Sequence, residues 1–153
     1  MPSRFTLETH VAARPDAVFD LARDIGAHVA SMRDSGERAI AGTTEGPMRL
    51  GDTVTFRARH LGVWFTLTAR ISEMHAPSRF VDEQVRGPFR SFRHEHRFEE
   101  TTGGETKMTD TIELASPVFG VIVERLILVP YLRRLIARRN AHLAASFPEA
   151  GTR

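Results

Sequence analysis

The sequence predicts an α+β fold: a curved antiparallel sheet of about seven strands wrapped around one long C-terminal helix, with two short helices after the first strand. Three observations carry this reading. Segments of apolar/polar alternation follow one another across short turns, and short turns between strands require antiparallel neighbours. From Phe119 to Phe147 the apolar residues switch to helical spacing. Between Arg90 and Leu114 the alternation places two histidines and an aspartate among apolar residues, which a plain sheet core does not need and a lined pocket does.

The elements follow in order. Phe5, Leu7, Thr9 and Val11 alternate with Thr6, Glu8 and His10 as a half-buried strand. Pro15-Asp16 opens a helix, because proline suits the first helical position and an acid in the first turn suits the dipole. Val18, Phe19, Leu21 and Ala22 form its buried side, and Asp24 caps a second short helix from Ile25 to Ser31. Arg38 to Gly42 is a short weak strand, and Gly46-Pro47 and Gly51-Asp52 mark turns. Val54, Phe56, Ala58 and His60 share one face of the next strand. Gly62 breaks the chain before a long strand, Val63 to Met74, with Phe65, Leu67, Ala69 and Ile71 on its apolar side. Pro77 turns the chain into a strand from Phe80 to Val85, closed by Gly87-Pro88. Phe92, His94, His96 and Phe98 then line one side of a hairpin, and Met108, Asp110, Ile112 and Leu114 the other strand of it. In the final helix Phe119, Ile122, Leu126, Val129, Leu132, Ile136, Leu143 and Phe147 form the apolar stripe, with Arg134 and Arg138 on the wet face. Pro130 predicts a kink or break near Leu126.

The chain's 153 residues suit one domain spanning 1–153, with an ordered core from about 4 to 147. No cysteine is present, which removes disulfides, thiolate metal sites and a cysteine nucleophile, and fits a cytoplasmic location. Basic and acidic residues number 21 and 19 and most arginines are interspersed with acids, so no nucleic-acid partner is expected. The greasiest run, Val118 to Val129, is interrupted by Glu124 and Arg125 and falls short of the ~18 clean apolar residues of a membrane span. Stable membrane insertion is not expected, and no signal peptide is visible. Arg133, Arg134, Arg138 and Arg139 would attract anionic lipid, but the apolar excess at Val121, Val123, Ile127 and Leu128 is expected to pack on the short helices or on a second copy of the chain as a homodimer.

The hairpin holds the candidate chemistry. If Phe98 faces Met108, the register sets His96 opposite Asp110 and His94 opposite Ile112, and direct cross-strand partners stand about 4.5–5.5 Å apart at Cβ. His96 and Asp110 are the candidate catalytic residues. Three readings stay open: a satisfied polar pair inside the sheet, an anchor for a ligand, and an acid/base pair. A register slip of one residue would reverse every face. His94-Glu95-His96 is also a His-x-His pattern that can bind zinc if Asp110 or His60 supplies a third ligand; two ligands at this spacing are weak, and no metal is expected. His60 and Trp64, on either side of Gly62, suit a hairpin tip at a cavity mouth. Glu83 reads as a surface residue. Arg57, Arg59, Arg70, Arg90, Arg93 and Arg97 face outward, where Glu95, Glu99 and Glu113 pair with them.

The order of these elements resembles the SRPBCC superfamily, with the START-like helix-grip fold, and within it the polyketide cyclase/dehydrase-like branch. The residues that carry the resemblance are Val11 with Pro15-Asp16-Ala17-Val18-Phe19-Asp20 and Asp24; Gly51-Asp52; Pro77 before Arg79-Phe80; Gly87-Pro88-Phe89; His94 through Phe98; Thr109-Asp110; and Pro117 with Gly120. It runs from about Phe5 to Phe147. It implies a deep pocket between sheet and long helix for a hydrophobic or amphipathic small molecule, no cofactor by default, and no universal catalytic set. The expected ligand-binding residues are Phe56, Phe65, Leu67, Phe92, His94, His96, Asp110 and Ile112 from the sheet and Ile122, Leu126 and Val129 from the helix. The expected function is binding of a lipid, quinone, polyketide or aromatic metabolite. The alternatives are a cyclase or dehydratase using the His-Asp pair, and a protein-interaction module built on the greasy helix face.

Overall fold

The computed structural model describes residues 2–116 and 120–148. The elements are β1 (Ser3–Val11), α1 (Pro15–Ala22), α2 (Ile25–Ser31), a 3-10 turn (Arg33–Ser35), β2 (Arg38–Gly42), β3 (Thr53–His60), β4 (Val63–His75), β5 (Arg79–Arg86), β6 (Ser91–Glu100) and β7 (Thr106–Ala115). A helical segment then runs through α3 (Gly120–Val123), a π-helical turn (Glu124–Leu128) and α4 (Val129–Ala145). Seven strands form one antiparallel sheet in the order β1-β7-β6-β5-β4-β3-β2. Each strand pairs with its sequence neighbour except β1, which closes onto β7. This is the expected helix-grip architecture. Pro117 and Phe119, expected at the start of the last helix, lie outside the described residues.

Local chemistry explains the elements. Pro15 occupies the first turn of α1, and Asp24 caps α2 by accepting a hydrogen bond from the Ala27 N–H at 3.0 Å. The β3–β4 hairpin turns on Leu61 and Gly62, both at positive φ, the backbone of a two-residue type I′ turn. Leu61 is a non-glycine residue in that region, so the hairpin tip carries local strain. Register shifts between Thr68 and Ala69 and between Ile71 and Glu73 bend β4 against β5. The second also breaks the alternation, so that Ile71 and Met74, three residues apart, both pack on the core.

Two apolar clusters fill the inner face. One joins α1 and α2 to Val54, Ile71, Phe80, Phe98, Met108 and Leu143; the other holds Phe5, Ile112, Leu114, Leu132 and Ile136. α4 supplies residues to both. Along β7 the inward residues run Met108, Asp110, Ile112, Leu114, so a carboxylate separates the two clusters. The outer face carries ion pairs: Glu73 with Arg79 and Arg93, and Glu95 with Arg79 and Arg97. Glu99 pairs with Lys107 and Glu113 with Arg4.

The last helix departs from expectation in its first half. The Val129 N–H reaches back five residues to the Glu124 carbonyl, and Pro130 has no N–H to continue an α-helical ladder. The break foreseen near Leu126 is therefore a π turn. One extra residue in that turn rotates the preceding segment by about 100° relative to the following one. Ile122 and Leu126, expected in the pocket, are consequently 73% and 71% exposed. Val121 and Ile127 are exposed with them, uncovered by the short helices. Glu124 is buried instead, accepting hydrogen bonds from Ser3 Oγ and the Ser116 N–H. Among the described residues no helix is long and apolar enough to cross a membrane.

Two substitutions test this helix phase. Leu126→Ser is expected to move the denaturation free energy by no more than about 0.5 kcal/mol, the scale of an ordinary surface change. Leu132→Ala, in the second cluster, is expected to cost about 2–5 kcal/mol. Equal effects in urea unfolding would contradict the rotation. Asp24→Ala removes the α2 cap and is expected to cost about 1 kcal/mol in the same assay.

Candidate functional site

A cavity of about 420 Å³ lies between the inner face of the sheet and the helices. Its apolar wall includes Phe56, Phe65, Leu67 and Phe92 from the strands. The helix side is Leu128, Tyr131, Leu132, Leu135, Ile136 and Arg139, one stripe at helical spacing. Small residues at Ala58 and Ala69 on β3 and β4 leave room where larger side chains would meet the helix. His60, at the end of β3, hydrogen-bonds through Nδ1 to Tyr131 Oη at 2.7 Å and ties the hairpin to α4. Burial lowers the pKa of His60, with the charge of Glu37 opposing. Trp64 stands half-exposed under the Arg57 guanidinium, 4.7 Å from its ring centroid. At another part of the wall His28 Nε2 lies 2.6 Å from the carboxylate of the buried Glu37.

The polar centre of the wall is built from β5, β6, β7 and α4. The β6–β7 register is the one the alternation predicts, with His96 opposite Asp110, His94 opposite Ile112 and Phe98 opposite Met108. The bonding differs. The Asp110 carboxylate accepts its short hydrogen bond from His94 Nε2 at 2.6 Å, a diagonal neighbour. His96 Nε2 donates instead to Asp82 Oδ2 on β5 at 2.7 Å. His96 Nδ1 stands 3.3 Å from Asp110 Oδ1 but lacks the alignment for a hydrogen bond. The two imidazoles stack with centroids 3.7 Å apart, and Phe80 covers the other face of His96 at 4.1 Å. Asp110 is completed from α4: Asn140 Nδ2 donates to Oδ2 at 2.7 Å, and Arg139 Nη1 lies 3.5 Å from Oδ1. Arg139 also donates to the Ala22 carbonyl and to Asn140 Oδ1.

These contacts order the protonation states. Burial opposes ionisation of Asp110, but the His94 hydrogen bond and the adjacent His96 imidazole outweigh it and hold the carboxyl well below its usual range. Burial likewise opposes ionisation of Asp82, and the His96 hydrogen bond reverses it, so its pKa is lowered. His94 is pushed down by burial first and by the neighbouring His96 second. His96 is penalised by burial but carried upward by Asp110 and Asp82. The two stacked rings are thus shifted in opposite directions.

Several expected pocket residues sit elsewhere. Asp110 is 0% exposed and lies behind the histidines, off the cavity surface. Ile112 is buried in the second cluster, and Val129 packs on the edge of that cluster. Ile122 and Leu126 face outward, for the reason given by the π turn. Asp82, absent from the expected set, is the member of the cluster with an accessible carboxylate, its side chain 24% exposed. Alternation with Phe80 signals its inward direction. Arg139, grouped in the sequence with the arginines that would attract anionic lipid, is buried. Arg139 follows Ile136 by three residues and Leu132 by seven, which places it on the buried stripe.

Asp110 is the residue whose loss the cluster tolerates least. Asp110→Ala leaves Arg139 buried without its carboxylate and is expected to cost about 3–5 kcal/mol in urea unfolding. Because the folded pKa of Asp110 is depressed, its contribution is fully present above the unfolded value of about 3.9 and is lost as pH falls toward the folded value. The acid limb of stability against pH is expected to flatten in Asp110→Asn; an unchanged acid limb would contradict this assignment.

Comparison with known proteins agrees with this architecture. Residues 2–148 match the family described as polyketide cyclase / dehydrase and lipid transport. No curated protein matches the chain. Among solved structures, the ZhuI aromatase/cyclase of Streptomyces sp. R1128 superposes with a TM-score of 0.76 at 14% identity, covering 95% of this chain and 93% of that one. A START superfamily protein of Mycobacterium smegmatis gives a TM-score of 0.72 at 11% identity, covering 95% and 99%. A protein of Thermus thermophilus gives a TM-score of 0.72 at 16% identity, covering 95% and 100%. At such identities the superpositions speak for the fold alone, here the helix-grip fold, while the family match spans nearly the whole sequence: the chain belongs to the polyketide cyclase/dehydrase and lipid transport family.

Proposed function

We propose that the cavity binds a small, largely apolar molecule that presents a hydrogen-bond donor to Asp82. The Asp82–His96 pair, set among the aromatic and aliphatic side chains of the wall, carries this reading. About 420 Å³ falls within the ~300–1,000 Å³ of typical small-molecule sites. An ionised carboxylate facing that space accepts hydrogen bonds and repels anions. A hydroxylated aromatic or polyketide-like metabolite therefore suits the wall better than a fatty acid, whose own carboxylate would meet Asp82. Phe56, Phe65 and Phe92 supply the aromatic contacts.

A second reading uses the same pair. Two stacked imidazoles, each hydrogen-bonded to its own carboxylate, can donate and recover a proton, as cyclisation and dehydration require. Such acid/base work contributes typically ~10²–10⁴-fold. The family description and the aromatase/cyclase among the structural relatives favour keeping it. Its test is turnover of a β-hydroxyketone, abolished in both Asp82→Asn and His96→Ala; turnover that survives both would end it.

The binding reading is tested by titration with 2-naphthol and 2-methoxynaphthalene. The naphthol is expected to bind more tightly, by about tenfold, the worth of one hydrogen bond to a charged group. Asp82→Asn is expected to remove that preference, and Ala58→Phe to weaken both ligands by filling the cavity. Equal binding of the two probes by wild-type protein, or insensitivity to Ala58→Phe, would refute it.

A further inference from the structure

We propose that Asp82, His94 and His96 form a site for one divalent transition-metal ion of the zinc class, set in the cavity wall with a coordination position open to the bound molecule. Ligand atoms from these three residues lie within 4.8 Å of one another. Metal–ligand bonds of about 2.0–2.2 Å place donor atoms roughly 3.3 Å apart around a tetrahedral ion, a spacing that small side-chain rotations reach. Two imidazoles and a carboxylate are a donor set that suits zinc and its neighbours rather than magnesium or calcium.

The surrounding hydrogen bonds fit this role. His94 gives its Nε2–H to Asp110, so in the neutral ring Nδ1 carries the lone pair. A metal-bound histidine characteristically donates its other nitrogen to a carboxylate, which fixes ring and tautomer. His96 meets the same requirement: with Nε2 on the metal, Nδ1–H turns to Asp110 Oδ1, now 3.3 Å away and unaligned. Asp110 is the shared orienting carboxylate, held by Asn140 and Arg139 from the other side. It is a positioning residue and not a ligand, because Oδ1 and Oδ2 are already committed and it lies behind the rings. His60, the other third ligand that the His-x-His spacing had suggested, is turned to Tyr131.

Charge points the same way. With both imidazoles neutral, the carboxylates of Asp82 and Asp110 outnumber the Arg139 guanidinium by one. A divalent cation held by these groups offsets that excess. Three protein ligands leave the fourth position of a tetrahedral ion for water or for a ligand oxygen, the arrangement of zinc sites that act as Lewis acids. The inference does not depend on the identity of the organic ligand.

The test uses metal ions alone. Wild-type protein stripped with a chelator is titrated with Co²⁺ and Zn²⁺. One equivalent is expected to bind at micromolar affinity or tighter, with the visible absorption of four-coordinate cobalt and a raised melting temperature. Asp82→Asn and His94→Ala are expected to abolish the cobalt spectrum. Asp110→Asn is expected to retain it with affinity weakened about 10- to 100-fold. His75→Ala, at an exposed histidine outside the cluster, is expected to change nothing. Should His94→Ala fail to fold, Asp82→Asn reads the site alone, since its side chain is partly accessible and its shape is kept. Absence of stoichiometric binding by folded wild-type protein, or binding that survives Asp82→Asn unchanged, would overturn the proposal while leaving the naphthol titration standing.

Discussion

A carboxylate without solvent contact sits at the middle of this protein, and the rest of the structure is arranged around satisfying it. Asp110 projects from β7 between two apolar clusters, where an unpaired charge would be prohibitive. Its partners come from both layers: His94 and His96 from the adjacent strand, Arg139 and Asn140 from the helix. These bonds do more than neutralise a charge. They hold α4 in the rotation and position at which Asn140 reaches Asp110. The same rotation turns Leu132 and Ile136 onto the second cluster and Leu143 onto the first.

The cavity follows from that constraint. The helix is pinned to the sheet at β7 and packed at its two ends, while β3 and β4 curve away at the far side, bent by bulges. Side chains facing the gap include Ala58 and Ala69, too short to bridge it. A void of this size forfeits dispersion contacts on every side chain that borders it. The hydrogen bond between His60 and Tyr131 links β3 to α4 beside the cavity.

The site is also where this chain acquires chemistry of its own on a common scaffold. Structural relatives share 9–16% of residues over nearly the full length, so packing rules preserve the grip of sheet on helix while side chains change freely. What a member of such a family does is decided by the groups projecting into the gap, not by the scaffold. Here these are a carboxylate and a stacked pair of imidazoles, set against aromatic and aliphatic surface.

Much of this was legible in one dimension. Alternation identified the strands and the β6–β7 register, proline and aspartate marked the starts of α1 and α2, and the polar intrusions His94, His96 and Asp110 announced a polar centre on the inner face. Those features depend on a period of two or of 3.6 and on residues a few positions apart, which sequence displays directly. Tertiary structure alone decided the rest. The π turn before Pro130 shifted the phase of the helix and moved Ile122 and Leu126 outward, since a periodic pattern cannot reveal one extra residue in a turn. Asp110 bonded to His94 rather than to the residue facing it, Asp82 took its place on the cavity wall, and Arg139 went inside. Each of those outcomes depends on how far side chains reach across strands and layers brought together from distant parts of the chain, and on the competition for a buried charge that exists only once they meet.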